Sequence, residues 1–296
     1  MAVVDHRNDI REFLASRRAR ITPERAGLPN YGGTRRVAGL RRAEVAMLAG
    51  VSPDYYTRLE RGNLTGVSDS VLAAIARALQ LDEAERSHLY DLARAANTTP
   101  RTRRRPAKQQ IRPGVQSLLD AMTEAPAFVR NGRLDVLAVN RLGQALYAPA
   151  FDAPGRPVNL ARFCFLDPRA DDFYPDWDDA ANTTVALLRT EAGRDPYDRA
   201  LTDLVGELAT RSDDFRNRWA AHNVRLHYTG FKHFHHPVVG RLDLAFEAMP
   251  MPADPGLTLT AYSAEPGTPA WDSLRLLASL AATTTQTDDP HQAERP

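Results

Sequence analysis

The sequence predicts a multi-domain protein, an all-α domain of five short helices followed by an α+β domain. Three observations predict it. Up to residue 97, apolar residues recur at helical spacing in five segments. From Thr98 to Gly114 the chain holds three prolines, six basic residues, no acidic residue and one large apolar side chain, Ile111, which is the composition of a linker. Beyond it the period changes, and strand-like runs appear with Asn131-Gly132 between the first two, a strong hairpin signal. The expected boundaries are 1–97 for the helical domain, 98–114 for the linker, 115–282 for the second domain and 283–296 for a polar tail expected to be disordered.

In the first domain, Asn8 to Arg20 puts Ile10, Phe13, Leu14 and the stem of Arg17 on one face. Leu40 to Ala49 turns Leu40, Val45, Leu48 and Ala49 inward, and Pro53 to Arg61 turns in Tyr56 and Leu59. Ser68 or Ser70 can cap a fourth helix that carries Val71, Leu72, Ile75, Ala78 and Leu79. Asp82 opens a fifth, with Leu89, Leu92 and Ala93. In the second domain a helix is expected at Val115 to Thr123, strands at Ala127 to Arg130 and Leu134 to Val139, and an Asn140-capped helix through Tyr147. Thr183 to Glu191 and Pro196 to Thr210 read as amphipathic helices. Strands return at Val224 to Tyr228, Gly230 to His235, Leu242 to Ala248 and Leu257 to Tyr262. A sheet of about five strands with helices on one side follows.

Hydrophobic residues at 43% and charged residues at 25% exclude disorder throughout the chain. Asp5, His6 and Arg7 stand where a secretory signal needs an apolar stretch, and no run reaches the roughly 20 apolar residues of a membrane helix. A cytoplasmic protein is expected. The lone cysteine, Cys164, offers neither an intramolecular disulfide nor a thiolate zinc cluster. The net charge of +1 conceals a division: residues 1–112 hold 21 Lys and Arg against 12 Asp and Glu, and residues 113–296 hold 17 against 25. This asymmetry points to a polyanion-binding head on an acidic body. The basic linker reads either as an arm that adds phosphate contacts or as a solvated spacer.

The most informative segment is Arg42 to Arg61. In a helix-turn-helix, two helices meet steeply over a short turn, so a small residue sits at the crossing and a glycine accepts the dihedrals of the turn. Ala46 and Gly50 occupy those places, Val45, Ala49, Val51, Tyr56 and Leu59 fall inward, and Ser52 caps the second helix. The alternative is an ordinary helical hairpin. On the second helix Ser52, Pro53, Asp54, Thr57, Arg58 and Arg61 remain outward and would enter the major groove of double-stranded DNA. Arg58 suits bidentate recognition of guanine, Asp54 can accept from a cytosine amino group, and Ser52 with Thr57 can reach a base edge or a phosphate. Arg42 is placed for a backbone phosphate. Glu60 reads as a structural partner of Arg17 or Arg18.

Arg35 to Gly62, Arg-Arg-Val-Ala-Gly-Leu-Arg-Arg-Ala-Glu-Val-Ala-Met-Leu-Ala-Gly-Val-Ser-Pro-Asp-Tyr-Tyr-Thr-Arg-Leu-Glu-Arg-Gly, resembles the helix-turn-helix of the XRE family, related to phage repressors. The resemblance implies a lambda-repressor-like five-helix domain. Leu134 to Asn140, Asn159 to Phe163, Asp214 to Trp219, His236 to Gly240 and Tyr262 to Gly267 are similar, in the same order, to segments of an MmyB-like ligand-binding domain. That resemblance implies a PAS-like sensor fold whose central sheet forms a cavity. Gly62 to Ser68 departs from the usual proline-serine approach to the fourth helix, which leaves the form of that loop open.

A cavity-forming sensor supplies apolar walls and a few polar groups. Phe128, Leu137, Val139, Leu146, Phe163, Phe165, Trp219 and Phe246 are the candidate lining residues, and Arg162 the candidate for a carboxylate or phosphate head group. The expected ligand is hydrophobic or amphipathic, and acyl-like. Five of the eight histidines fall between His222 and His236. His233 and His235 would share a strand face with His227 nearby, but no carboxylate recurs at ligand spacing, so hydrogen-bonded or solvent-facing histidines are the preferred reading over zinc. His236-Pro237 matches the family segment, for which the resemblance implies a structural role. No metal or cofactor is expected.

No nucleophile elbow, Walker loop, Gly-x-Gly-x-x-Gly or His-Glu-x-x-His is present, and the acidic run Asp167 to Asp179 reads as a surface loop, so no enzyme is expected. The reading is a ligand-responsive, sequence-specific transcriptional regulator that binds DNA as a homodimer; the alternative is a constitutive regulator whose second domain only dimerises.

Overall fold

The computed structural model describes residues 6–28, 37, 39–97, 111–153, 155, 157–224 and 227–287. In chain order they form α1 (His6–Arg20), α2 (Arg42–Ala49), α3 (Pro53–Glu60), α4 (Asp69–Ala78), α5 (Glu83–Asn97), α6 (Pro113–Ala121), β1 (Ala127–Asn131), β2 (Val136–Val139), α7 (Arg141–Leu146) and α8 (Ala148–Phe151). There follow α9 (Leu160–Leu166), α10 (Arg169–Phe173), α11 (Trp177–Arg194), α12 (Arg199–Arg211), α13 (Asp213–Ala220), β3 (Thr229–His236), β4 (Gly240–Pro250), β5 (Leu257–Ser263) and α14 (Pro269–Thr287).

Two compact units result: Met1–Arg105 with Val185–Leu226, and Pro106–Thr184 with His227–Pro296. The division departs from the expected boundary, because residues 185–226 leave the second domain and join the helical head. The expected linker is described only from Ile111, and its last two residues, Pro113 and Gly114, already open α6. The expected tail begins inside α14, which runs to Thr287; residues 98–110 and 288–296 lie outside the described residues.

The five predicted helices of the head are present, and their caps explain where each begins. The Ser68 hydroxyl accepts from the Val71 amide to open α4. Before α5, the Asp82 carboxylate accepts from the Glu85 amide at 2.8 Å while the Glu85 carboxylate accepts from the Asp82 amide at 3.2 Å, a reciprocal capping box. Ile10, Phe13, Leu14, Leu40, Val45, Tyr56, Leu59, Ile75 and Leu89 form the fully buried core of this unit. Leu48, expected inward, is on the solvent side, because the arc centred between Val45, Ala46 and Ala49 leaves it at the edge. The open question at Gly62 to Ser68 is answered by Gly62 at φ +92°, against whose bare Cα the Arg7 carbonyl packs, with Leu64 and Val67 buried behind it.

The second unit is built on a five-stranded antiparallel sheet in the order β2-β1-β5-β4-β3. One face carries an aromatic core of Phe128, Tyr147, Phe163, Phe173, Phe234, Phe246 and Tyr262, packed with residues of α7 to α10 and α14. The other face, around Ala127, Val129 and Leu257, is covered by α6 through Leu119. Helices therefore lie on both faces, not one. Of the six predicted strands, Val224 to Tyr228 is not a strand among its described residues: Val224 is buried in the core of the head, where it has no ladder to join. Among the described residues no helix is long and apolar enough to cross a membrane.

Candidate functional site

The turn between α2 and α3 is built by three residues. Gly50 ends α2 in the left-handed region, at φ +67° and ψ 30°. Its amide donates to the Met47 carbonyl and the Val51 amide donates to the Ala46 carbonyl at 3.0 Å, the crossed pattern that closes a helix around a glycine. Ser52 then starts α3, its hydroxyl accepting from the Tyr55 amide at 3.1 Å, and Pro53 fills the first position, where no amide is needed. Ala46 is fully buried on α2, as a close crossing requires, and so are Tyr56 and Leu59 on α3.

The last turn of α3 is held by Glu60, only 1% exposed. The Arg18 guanidinium donates to both carboxylate oxygens at 2.8 Å, and Arg42 donates from Nε at 3.0 Å and Nη2 at 2.9 Å. A carboxylate at a helix C-terminus opposes the helix dipole, and burial pushes its pKa up. The hydrogen bonds and charge of Arg18, then of Arg42, outweigh that burial and hold Glu60 below the usual glutamate range. Of the two partners expected for Glu60, Arg18 is the one found; Arg17 instead pairs with Glu85 at 2.8 Å.

Ser52, Pro53, Asp54, Arg58 and Arg61 are exposed and Thr57 is half-buried, so the outward set falls on one surface of α3 and its ends. The Arg58 guanidinium stands 4.7 Å over the Tyr55 ring, which restrains it without burying it. Arg42 is half-exposed but committed to Glu60. Arg41, one residue earlier, is exposed at the same helix start, a position that no sequence pattern marks.

Of the nine candidate ligand residues, five come together and four do not. Phe128, Val139, Leu146, Phe163 and Phe246 pack together in the aromatic core, and Phe165 stacks edge-on against Trp177. Leu137 lies on the opposite face, because the β1–β2 register pairs Val129 with Ala138 and Arg130 with Val136, skipping Leu137 at a bulge. Arg162 is exposed. Trp219 belongs to the head, where it stacks on Phe215 and lies 4.0 Å beneath the Arg189 guanidinium.

Two hollows are lined by other residues. A cavity of about 30 Å³, room for about one or two water molecules, is bounded by Tyr174, Asp176, Asp179, Ala180, Thr183, His227, Phe231, Lys232 and His233. Lys232 points inward from β3, its ammonium 3.5 Å from the Tyr147 hydroxyl and 4.9 Å above the Tyr174 ring. Burial lowers its pKa to about 8. Thr183 is 6% exposed and its hydroxyl makes no hydrogen bond within the protein. A groove of about 660 Å³, in the size range of small-molecule sites, runs past Phe231, Arg241, Asp243, Ser263, Glu265 and Pro269. No sequence pattern singled out Lys232 or Thr183, since neither is remarkable until β3 and α11 are placed.

The histidines divide as strand alternation dictates. His233 pairs with Asp243 at 2.6 Å on the outer face, with His235 exposed on the same side. His236 turns inward, its Nε2 donating to the Ala145 carbonyl while Nδ1 accepts from the Val238 amide. His227 stacks on Phe246 at 4.3 Å.

Comparison with known proteins returns two family matches: a helix-turn-helix domain over residues 12–89, and an MmyB-like transcription regulator ligand binding domain over residues 111–277, more than half of the chain. No curated protein matches the chain. The turn at Gly50 between α2 and α3 lies inside the first match and the five-stranded sheet inside the second, and the chain belongs to the MmyB-like transcription regulators, DNA-binding proteins that join a helix-turn-helix to a ligand-binding domain.

Proposed function

We propose that this regulator reads a specific DNA sequence as a homodimer, inserting α3 into the major groove, under the control of a small amphipathic effector in its second unit. The observation that carries the reading is the exposed row Ser52, Asp54, Arg58 and Arg61 on a helix fixed at both ends, by the Ser52 cap and by Glu60. Arg58 donates to guanine, Asp54 accepts from cytosine, and Ser52 and Thr57 meet base edges or phosphates. Arg41, and Arg42 with the charge it has left, face the backbone at the start of α2. One head makes few base contacts, so two half-sites about 34 Å apart are required for useful specificity.

For the effector, an acyl-like or other amphipathic molecule, Lys232 takes the part first assigned to Arg162. Its ammonium and the unbonded Thr183 hydroxyl supply the polar end of a site, and Phe231, which borders both hollows, supplies apolar surface. Selection of bound sequences from random DNA with the full chain tests the first part; an inverted repeat is expected, and a lack of any enriched sequence would refute it. Native mass spectrometry and thermal shift against an amphipathic library test the second. An adduct or a stabilised protein is expected, whereas the absence of both would leave a constitutive regulator.

A further inference from the structure

Residues 185–224 fall inside the ligand-binding family match, yet they fold with the helix-turn-helix head. What fastens them there is a buried polar cluster. Arg189, 3% exposed on α11, donates to His222 Nδ1 at 2.9 Å, donates to the Trp219 carbonyl and lies 3.8 Å from Asp9 of α1. His222 Nε2 donates to Glu12 of α1 at 2.7 Å, and Arg17 of α1 donates to the His222 carbonyl. His222 is therefore a neutral ring, accepting at one nitrogen and donating at the other. Its backbone sits at φ +53°, a conformation few side chains adopt unless the surroundings impose it. A second fastening is steric. On Gly193 of α11 an added methyl would meet the His88 ring of α5 at 2.5 Å, so the helix backbone itself rests on that ring.

Asp9, Glu12 and Arg17 tie the cluster to α1 and His88 ties it to α5, while the bonds from Arg189 to His222 and Trp219 hold it together; α1 also carries Arg18, whose guanidinium grips Glu60 at the end of the reading helix. We propose that Arg189 and His222, although they lie in the ligand-binding half of the sequence, are positioning residues for DNA reading. They fix where α1 stands, and α1 fixes the Glu60 end of α3. The same helix α11 that brings Arg189 to the head supplies Asp179, Ala180 and Thr183 to the cavity. Effector control, as proposed above, then has a route: an occupant that displaces the start of α11 alters the clamp at its other end. This last step rests on that reading of the cavity.

Three full-chain variants test the proposal against the DNA selected by the wild-type chain: Arg189→Lys, His222→Asn and Gly193→Ala. Asn retains an acceptor for Arg189 and tolerates the positive φ, and Gly193→Ala removes no polar partner while favouring the helix. Affinity is measured for the selected site and for a site altered at one base pair, with thermal midpoints recorded in parallel. A clamp that only stabilises the fold would lower the midpoint and leave both affinities of the folded protein unchanged. Positioning predicts a loss of roughly tenfold at the selected site and a smaller loss at the altered one. Affinities within about twofold of wild type in the variants that remain folded overturn the proposal, as does binding that falls equally on both sites.

Ala180→Leu, which fills the cavity wall, tests the route. It is expected to change DNA affinity in the wild-type background and not in Arg189→Lys, and additive effects would sever cavity from clamp. Failure of the wild-type chain to select any sequence counts against DNA reading itself, whereas selection followed by indifferent clamp variants counts against positioning alone.

Discussion

At the scale of single residues, the head combines a buried carboxylate and two neutral histidines with a row of exposed cations, and the two sets answer to different measurements. Arg58→Ala is expected to cost about 1–3 kcal/mol of DNA binding and to relax preference at one base pair. Arg41→Ala is expected to weaken all sequences alike and to reduce the salt dependence of affinity, which a titration over salt concentration reads directly. The histidines respond to pH. Burial, then the positive charge of Arg189, lowers His88 to about 3 and His222 to about 4, against about 6.5 for a free ring. Both are neutral in the fold, so the unfolded chain takes up protons first as the pH falls below about 6.5. Stability is full above that value and declines between it and the folded values, by at most about 1.4 kcal/mol per pH unit for one such site. Thermal midpoints recorded from pH 7 to pH 5 are expected to fall, and His88→Phe, which removes one titrating ring and leaves an aromatic ring beside Phe13, is expected to flatten the slope.

At the scale of elements, the turn at Gly50 can be tested without touching DNA. No atom lies within 4 Å of where a Cβ would stand, so a substitution there is charged only for its left-handed backbone. Gly50→Ala is expected to destabilise the head by about 1–2 kcal/mol, and Gly50→Asn by less, because asparagine visits that region readily. Denaturant unfolding distinguishes them; equal losses would mean that the turn relaxes around the new side chain. This element was legible in the sequence because its signals are local: a glycine, a serine cap and an apolar arc within twenty residues. The same holds for Asn140, whose side chain accepts from the Gly143 amide at 2.7 Å and starts α7 as expected. What was not legible depends on partners far away in sequence. Leu137 changed face because a bulge shifts the register by one residue. Val224 lost its strand, and Trp219 its place in the sensor, because Glu12 and Arg17, more than 200 residues earlier, bind the backbone and ring of His222.

At the scale of the whole molecule, the head is assembled from two stretches of chain, Met1–Arg105 and Val185–Leu226. A fragment of residues 1–105 lacks Arg189 and His222, and leaves Asp9, Glu12 and Arg17 without those partners. Such a fragment is expected to unfold at lower temperature than the head of the full chain and to recover, in part, when a peptide of residues 185–226 is added. Calorimetry on the fragment with and without the peptide decides it; a fragment as stable alone as with the peptide would show that the second stretch is dispensable.

The passage of residues 185–226 out of one unit and into the other also governs how such proteins can be recombined. A chimera joined once, after residue 105, would graft a foreign α11 to α13 onto this α1 and α5, and the bare surface at Gly193 would face whatever replaces His88. A functional exchange of sensors has to keep the native 185–226 as an insert, with two junctions more than a single cut provides, and relatives that diverge at Asp9, Glu12 or His88 are expected to change at positions 189, 193 and 222 in step.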